Sequence, residues 1–318
     1  MSSKFQCSEF KSYKKYGLIG HPVKNSLSPV IQKEAFLSEN IDAEYVLYDV
    51  LPKSLNDFLN KAAAEEIRGL NVTMPYKENV MKYVECDEIS KKIGAVNTLL
   101  LKNGKYTGYN TDAWGFYDSL KNHVSDIFRK EILIIGAGGA ARAIAYSLIN
   151  EGASISIVNR TEKRSESLVK EINKTNDKKY LNESKYSKFS ILKKNEMTLE
   201  NLSKFDIFIN ATSLGMNDSD LSPWNFLIEE AADGFLNDSN DILNNILNNI
   251  LNSKKVLFDV VYSKNITPYL SEGKKRNAIC IDGKEMLLNQ GARSFEIWTG
   301  KKANLEKMKN ALERYMSN

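Results

Sequence analysis

Gly136-Ala137-Gly138-Gly139-Ala140-Ala141 is where the types and spacing of residues first point to a chemistry. The run follows an apolar stretch, Ile132 to Ile135, and opens a helical pattern, so it fits GxGxxG/A with Ala141 in the third small position. Gly136 permits the tight turn, Gly138 lets the backbone approach a pyrophosphate, and Ala141 keeps helix and strand close. Free amides and positive potential at the helix start would hold the phosphates. Any tight strand-to-helix turn wants glycine, but this context favours a dinucleotide site over Gly136, Ala137, Gly138, Gly139 and Ala140. An NAD site would place a carboxylate about twenty positions on, for the ribose hydroxyls. Here that place holds Asn159-Arg160-Thr161, with Arg164 one helical step beyond. A carboxylate would repel a 2′-phosphate, whereas two guanidiniums and a hydroxyl bind one through charge-assisted hydrogen bonds. Thr161 as a mere helix cap, with solvated arginines, is the competing reading; the position favours NADP.

A second group of candidates lies earlier. Gly69-Leu-Asn71-Val-Thr73-Met-Pro75-Tyr-Lys77 ends a strand pattern and turns into a helix at a proline. Open α/β sheets bind ligands at the carboxyl ends of their strands, so Thr73 and Lys77 are placed to meet a substrate. A lone lysine near a helix start is usually just solvated. Asp112, in Asn110-Thr111-Asp112, precedes a helix and can be only its N-cap. The chain has two histidines, His21 and His123, so zincin motifs are excluded and an imidazole-based triad would need one of these two. His123, in KNHVSD, reads as a surface residue; His21, before Pro22 in a glycine-containing turn, can line a site or only shape it. Cys7, Cys86 and Cys280 are widely spaced, lack a CxxC pattern and read as reduced cytoplasmic thiols, with no metal site or disulfide frame.

These groups need elements to carry them. Strand patterns at Tyr16 to Gly20, Glu44 to Val50 and Arg68 to Val72 alternate with helical ones at Pro29 to Ser38 and Leu55 to Glu66, which implies βαβ units and a mainly parallel sheet. Val96 to Leu101 and Lys105 to Thr107, joined by Asn103-Gly104, read as a hairpin. A second unit opens at Glu131, continues with strands at Ser154 to Val158, Phe205 to Ile209, Val256 to Val261 and Ala278 to Ile281, and has the rhythm of a doubly wound dinucleotide fold. The final helix, Ala303 to Met316, carries Leu305, Met308 and Leu312 on one face. At 318 residues the chain is long enough for two domains. Its net charge of +4, from 44 basic and 40 acidic residues mixed along the chain, gives no nucleic-acid face. No apolar run approaches the roughly 20 residues that span a bilayer.

Two segments read as insertions: Asn173 to Asn195, rich in Lys, Asn and Ser, and Glu229 to Ser253, which contains DILNNILNNILN. Apolar pairs recur every four residues in the latter and give a helical stripe, either a lid or partner-binding helix or compositional drift in a surface loop. Drift is the favoured reading, and on it deletion of Gly234 to Asn252 should leave kinetics near those of the intact chain.

From Gly20 to Gly300 the chain resembles the shikimate dehydrogenases. Ser26-Leu-Ser28-Pro29 looks like that family's serine pair for the substrate carboxylate. NVTMPYK (Asn71 to Lys77), GAVNT (Gly94 to Thr98), GYNTD (Gly108 to Asp112), NRT, NATSLGM (Asn210 to Met216), DVVY (Asp259 to Tyr262) and DGKEMLLNQGARSFEIWTG (Asp282 to Gly300) follow in the family's order. The resemblance implies a mixed, mainly parallel α/β substrate-binding domain, residues 1–112 with 284–318, and a Rossmann-type NADP-binding domain, 113–283, with the asparagine-rich insertion at about 229–253. It implies reversible NADPH-linked reduction of 3-dehydroshikimate to shikimate by a cytoplasmic monomer or homodimer that binds neither nucleic acid nor membrane. Lys77 and Asp112 would be the catalytic pair; Ser26, Ser28, Thr73, Asn97, Tyr262 and Gln290 would hold substrate; Thr212 and Met286 would join the cofactor set. Quinate/shikimate dehydrogenases using NAD or both cofactors, and a catalytically silent ligand-binding paralogue, are the alternatives. The chain departs from the pattern at Asn25, where the family often has histidine, and at Gln32-Lys33, where it often has a His-Asn pair.

Overall fold

The computed structural model describes residues 13–175, 188–216, 221–231 and 239–317; Cys7 and Gly234 lie outside them, as do parts of both asparagine-rich segments. The first sheet is built from β1 (Lys14–Gly20), β2 (Ala43–Asp49), β3 (Ile67–Val72), β4 (Glu85–Cys86), β5 (Thr98–Lys102) and β6 (Lys105–Tyr109). Its order is β2-β1-β3-β5-β6-β4. β1 runs parallel to β2 and β3, β5 is antiparallel to β3 and β6, and β4 is parallel to β6, so the sheet is mixed. The Asn103-Gly104 turn closes β5–β6 with both residues at positive φ, the backbone that a two-residue hairpin turn requires. Helices α1 (Ser28–Ser38), α2 (Leu55–Ala64) and α3 (Glu88–Ile93) accompany this sheet, and α4 (Asp112–Lys121) leaves it.

The second sheet is wholly parallel. It contains β7 (Glu131–Ile135), β8 (Ser154–Val158), β9 (Phe189–Ile191), β10 (Ile207–Asn210), β11 (Val256–Asp259) and β12 (Ile279–Ile281), in the order β12-β11-β10-β7-β8-β9. The chain order therefore reverses beside β7, and this switch point is where doubly wound sheets bind dinucleotides. Near-continuous apolar strands such as Ile132 to Ile135, buried on both faces, are what such a sheet demands. Helices α5 (Gly139–Ile149), α6 (Glu162–Thr175), α7 (Leu199–Ser203), α8 (Pro223–Ala231), α9 (Ser239–Ile250) and α10 (Pro268–Lys275) flank it. β9 falls inside Asn173 to Asn195, which is thus not an insertion throughout: Phe189 to Ile191 form the edge strand beside β8.

The described part of the asparagine-rich segment is a helix, Ser239–Ile250, and not a surface loop. In α9, Leu247 and Ile250 are fully buried in an apolar cluster with Trp224, Leu257 and Tyr269, and Leu243 and Ile246 pack against it. The stripe at i, i+3, i+4 and i+7 outweighs the poor helix propensity of the intervening asparagines. Asn244 and Asn248 accept hydrogen bonds from Arg276, just past α10, and Asn249 Nδ2 donates to the Asn245 carbonyl.

The last two helices return to the first sheet. α11 (Gly283–Thr299) starts at Asp282, whose side chain accepts from the Lys284 amide, and stops at Gly300 in left-handed backbone. Phe295 and Trp298 of α11, and Met308 and Leu312 of α12 (Leu305–Ser317), share a core with Tyr16, Ile31 and Phe36. α11 also crosses α4 closely enough that a Cβ on Gly115 would lie 2.8 Å from the Cβ of Gln290. No helix among the described residues is long and apolar enough to cross a membrane.

Candidate active site

Lys77 follows the turn at the end of β3. The Tyr76 amide donates to the Thr73 carbonyl, the buried Tyr76 hydroxyl donates to the Val50 carbonyl, and Val96 N donates to Lys77 O. The backbone beneath the ammonium is thus held on three sides. Lys77 Nζ donates to Asp112 Oδ2 at 2.7 Å, with the aspartate side chain 5% exposed and the lysine 20%. Asp112 is the first residue of α4, yet it caps nothing by side chain: its second oxygen, Oδ1, accepts from Asn97 Nδ2 at 2.8 Å. Gln290 Oε1, brought in by the α4–α11 crossing, lies 3.4 Å from the same Asn97 nitrogen.

Ser26 and Ser28 open α1, where the Ser28 amide donates to Ser26 Oγ at 3.2 Å. Tyr262 comes from beyond β11 and hydrogen-bonds Ser26 and the Leu27 backbone; burial pushes its phenol upward in pKa against those two hydrogen bonds. Burial likewise holds the Tyr45 phenol well above its ordinary range, against a hydrogen bond with Ser28. Both phenols are therefore uncharged at physiological pH. From Tyr45 a buried chain of hydrogen bonds runs to the lysine. Tyr45 donates to Asn71 Oδ1, Asn71 Nδ2 to Ser294 Oγ, Ser294 meets Thr98 and Thr111, and both threonines meet Asn97. Tyr45, Asn71, Thr98, Thr111 and Ser294 are missing from the sequence-based site. Four of them stand inside quoted motifs, at buried polar positions that need partners.

The glycine turn meets this cluster. A Cβ on Gly139 would lie 2.7 Å from Lys77 Cβ, so the lysine stem rests on the turn itself. Gly136 adopts φ +113°, backbone that only glycine enters readily, and packs on the Ala211 carbonyl and the Thr212 side chain. Gly138 faces open space where a side chain would stand, and α5 begins there without a side-chain cap, leaving its first amides free for an anion. The Gly136 amide donates to Val158 O, next to Asn159, whose side chain donates to the Thr161 carbonyl. Arg160, Thr161 and Arg164 are exposed around this β8–α6 turn. The residues present thus fit a dinucleotide carrying a 2′-phosphate. Thr212 Oγ1 donates to Asn210 Oδ1 and shapes the loop after β10, while Met286 is buried in an apolar cluster with Phe116 and Phe258.

The two departures from the family pattern have separate settings. Asn25 is exposed, and Gln32 is buried, its Nε2 donating to Gly291 O at 2.8 Å to tie α1 to α11. His21 pairs with Asp49 at 2.5 Å across the ends of β1 and β2, and His123 with Glu285 at 3.1 Å on the surface. A groove of about 720 Å³ between α11 and α12, edged by Lys284, Glu285, Glu306 and Lys309, shares no residue with the Lys77 cluster.

With this geometry in place, the chain can be compared with known proteins. Residues 18–99 match the shikimate dehydrogenase substrate binding domain, 118–215 the shikimate / quinate 5-dehydrogenase model, and 283–313 the shikimate 5'-dehydrogenase C-terminal domain. A shikimate dehydrogenase (NADP(+)) of Methanocaldococcus jannaschii is 40% identical over 297 residues, covering 93% of this chain and 95% of its own. A crystal structure of a shikimate dehydrogenase in complex with NADP+ superposes with a TM-score of 0.80 at 38% identity, over 96% of each chain. The Thermus thermophilus enzyme in complex with NADP(H) and shikimate gives 0.74 at 28% identity, over 95% of this chain and 99% of that one. Motif order, two-sheet architecture and coverage of nearly the whole length agree: the chain belongs to the shikimate dehydrogenase family.

Proposed function

We propose that this chain is an NADP-dependent shikimate dehydrogenase that interconverts 3-dehydroshikimate and shikimate. The observation that carries the reading is the Lys77–Asp112 pair, 2.7 Å apart and seated against the glycine turn through Gly139. NADPH, when bound, supplies the hydride. As the carbonyl carbon is reduced, negative charge grows on its oxygen, and Lys77 Nζ stabilises that charge and delivers the proton. Asp112 has its two oxygens committed to Lys77 and Asn97, so it fixes the direction of the ammonium. In the reverse direction the same lysine takes up the proton of the alcohol.

Ser26, Ser28 and Tyr262 are assigned to the substrate carboxylate, a site where neutral hydroxyls donate. Thr73, Asn97 and Gln290 are assigned to ring hydroxyls. Gly136, Ala137, Gly138, Gly139 and Ala140 are assigned to the pyrophosphate at the start of α5, and Asn159, Arg160, Thr161 and Arg164 to the 2′-phosphate; Thr212 and Met286 complete the cofactor side. The assignment carries with it a small-molecule substrate and a cytoplasmic setting.

The test is nicotinamide absorbance on mixing the protein with shikimate or quinate, each with NADP and with NAD. Reduction of NADP by shikimate at a rate far above the other three combinations is expected. Turnover with quinate and NAD as the preferred pair would replace this reading by a quinate dehydrogenase, and silence in all four would leave a binding protein.

A further inference from the structure

Glu78 immediately follows Lys77 and belongs to the first half of the molecule, yet both of its oxygens face arginines of the second. Oε2 lies 3.3 Å from Arg142 Nε on α5, and Oε1 lies 3.6 Å from Arg164 Nη2 on α6. Arg142 is buried, and its Nη1 donates to Glu171 Oε2 at 2.7 Å. It passes so close to Gly94 that a Cβ there would stand 2.9 Å from Nη1. The four groups form a set of two guanidiniums and two carboxylates, electrically balanced without a cofactor.

A 2′-phosphate bound at Arg160 and Arg164 upsets that balance. It brings further negative charge to a guanidinium that Glu78 already approaches, and the carboxylate and phosphate then repel one another. NAD carries no such group and meets no such repulsion. Arg164 is largely exposed, so its pair with Glu78 is weak in itself and the phosphate can take the arginine over. Arg142 draws Glu78 by charge: its buried Nε lies 3.3 Å from Oε2 without a hydrogen bond, while Nη1 of the same guanidinium donates to Glu171.

We propose that Glu78 is a specificity-determining residue for the cofactor: its carboxylate, held by Arg142 beside Arg164, selectively weakens binding of the 2′-phosphorylated dinucleotide. This rests on the assignment of Arg164 to the 2′-phosphate. Glu78 thereby moderates a preference that the arginines create, and it does so from the turn that presents Lys77.

The experiment is a set of dissociation constants for NADP and NAD, with the intact chain, Glu78→Gln, Arg164→Gln and the double variant, at low and high salt. Retention of the thermal transition would establish that each is folded. Glu78→Gln should tighten NADP by roughly 1.5- to fivefold, the range of one solvent-exposed charge pair, and leave NAD unchanged. The gain should shrink with salt, and in the Arg164→Gln background only the part owed to direct carboxylate–phosphate repulsion should remain. If Arg164→Gln weakens NADP alone while Glu78→Gln moves both cofactors equally, or tightens neither, the role of Glu78 is overturned and the 2′-phosphate site stands. If Arg164→Gln leaves NADP binding unchanged, both fall.

Discussion

Asp112 offers both oxygens, one to Lys77 and one to Asn97, and is almost wholly buried. On the proposed assignment, replacing Lys77 by alanine removes the donor to the substrate oxygen and spares the residues assigned to the ring hydroxyls. Turnover should fall by about two orders of magnitude or more, the scale of a lost general acid, with KM for shikimate changed only a few-fold; steady-state kinetics on the folded variant check this. A second residue-level expectation concerns Asp259, which accepts from Asn210, Val261 and Thr267 at the heart of the second sheet. Burial raises its carboxyl from 3.8 to about 6 against those hydrogen bonds. Since the folded value lies above the unfolded one, its contribution to stability is fully present below about pH 4 and is lost as pH rises through about 6. At about 1.4 kcal/mol per unit the loss is on the order of 3 kcal/mol. Asp259→Asn should therefore gain stability relative to the intact chain between pH 4 and 7, as read by denaturant titration; a pH-independent difference would remove the carboxyl from this account.

Among the elements, α9 is the one whose role composition conceals. DILNNILNNILN reads as low complexity, yet Leu243, Ile246, Leu247 and Ile250 form one face and two of them vanish into the core. Leu247→Ala should cost about 2–5 kcal/mol of stability while leaving kcat of the folded protein intact. Deleting Gly234 to Asn252 should prevent stable folding, because it strips Leu247, Ile250 and Leu251 from that core; soluble, active protein would restore the surface-loop reading. Legibility in the sequence followed range. The glycine turn, the Asn-Gly hairpin and the parallel strands are local patterns, and each element formed within a few residues of its expected place. Lys77 and Asp112 were visible as candidates, but their pairing is tertiary, across 35 positions. Tyr45, outside every motif, gave no local signal, since its hydroxyl matters only through partners from other elements. Glu78 was hidden for the same reason: its partners sit 64 and 86 positions away.

At the scale of the whole molecule, the halves meet where chemistry is needed. Lys77 from the first sheet rests on Gly139 of the second unit, and a methyl at Gly139 would come within 2.7 Å of Lys77 Cβ. Gly139→Ala should hold the halves slightly apart and lower kcat/KM by roughly tenfold or more with both cofactors, since misplacement by even an ångström is costly in a positioned site; an unchanged value would argue that the contact opens during turnover. The three tryptophans are distributed across this arrangement. Trp298 is packed in the core of the first half, Trp224 in that of the second, and Trp114, partly exposed beside Arg293, sits on α4 two residues after Asp112. The molecule thus carries its own optical probes, one per core and one beside the Lys77–Asp112 ion pair. Single-tryptophan variants would read each core's emission separately during denaturation, and would reveal whether the two halves lose their blue-shifted fluorescence together or in sequence.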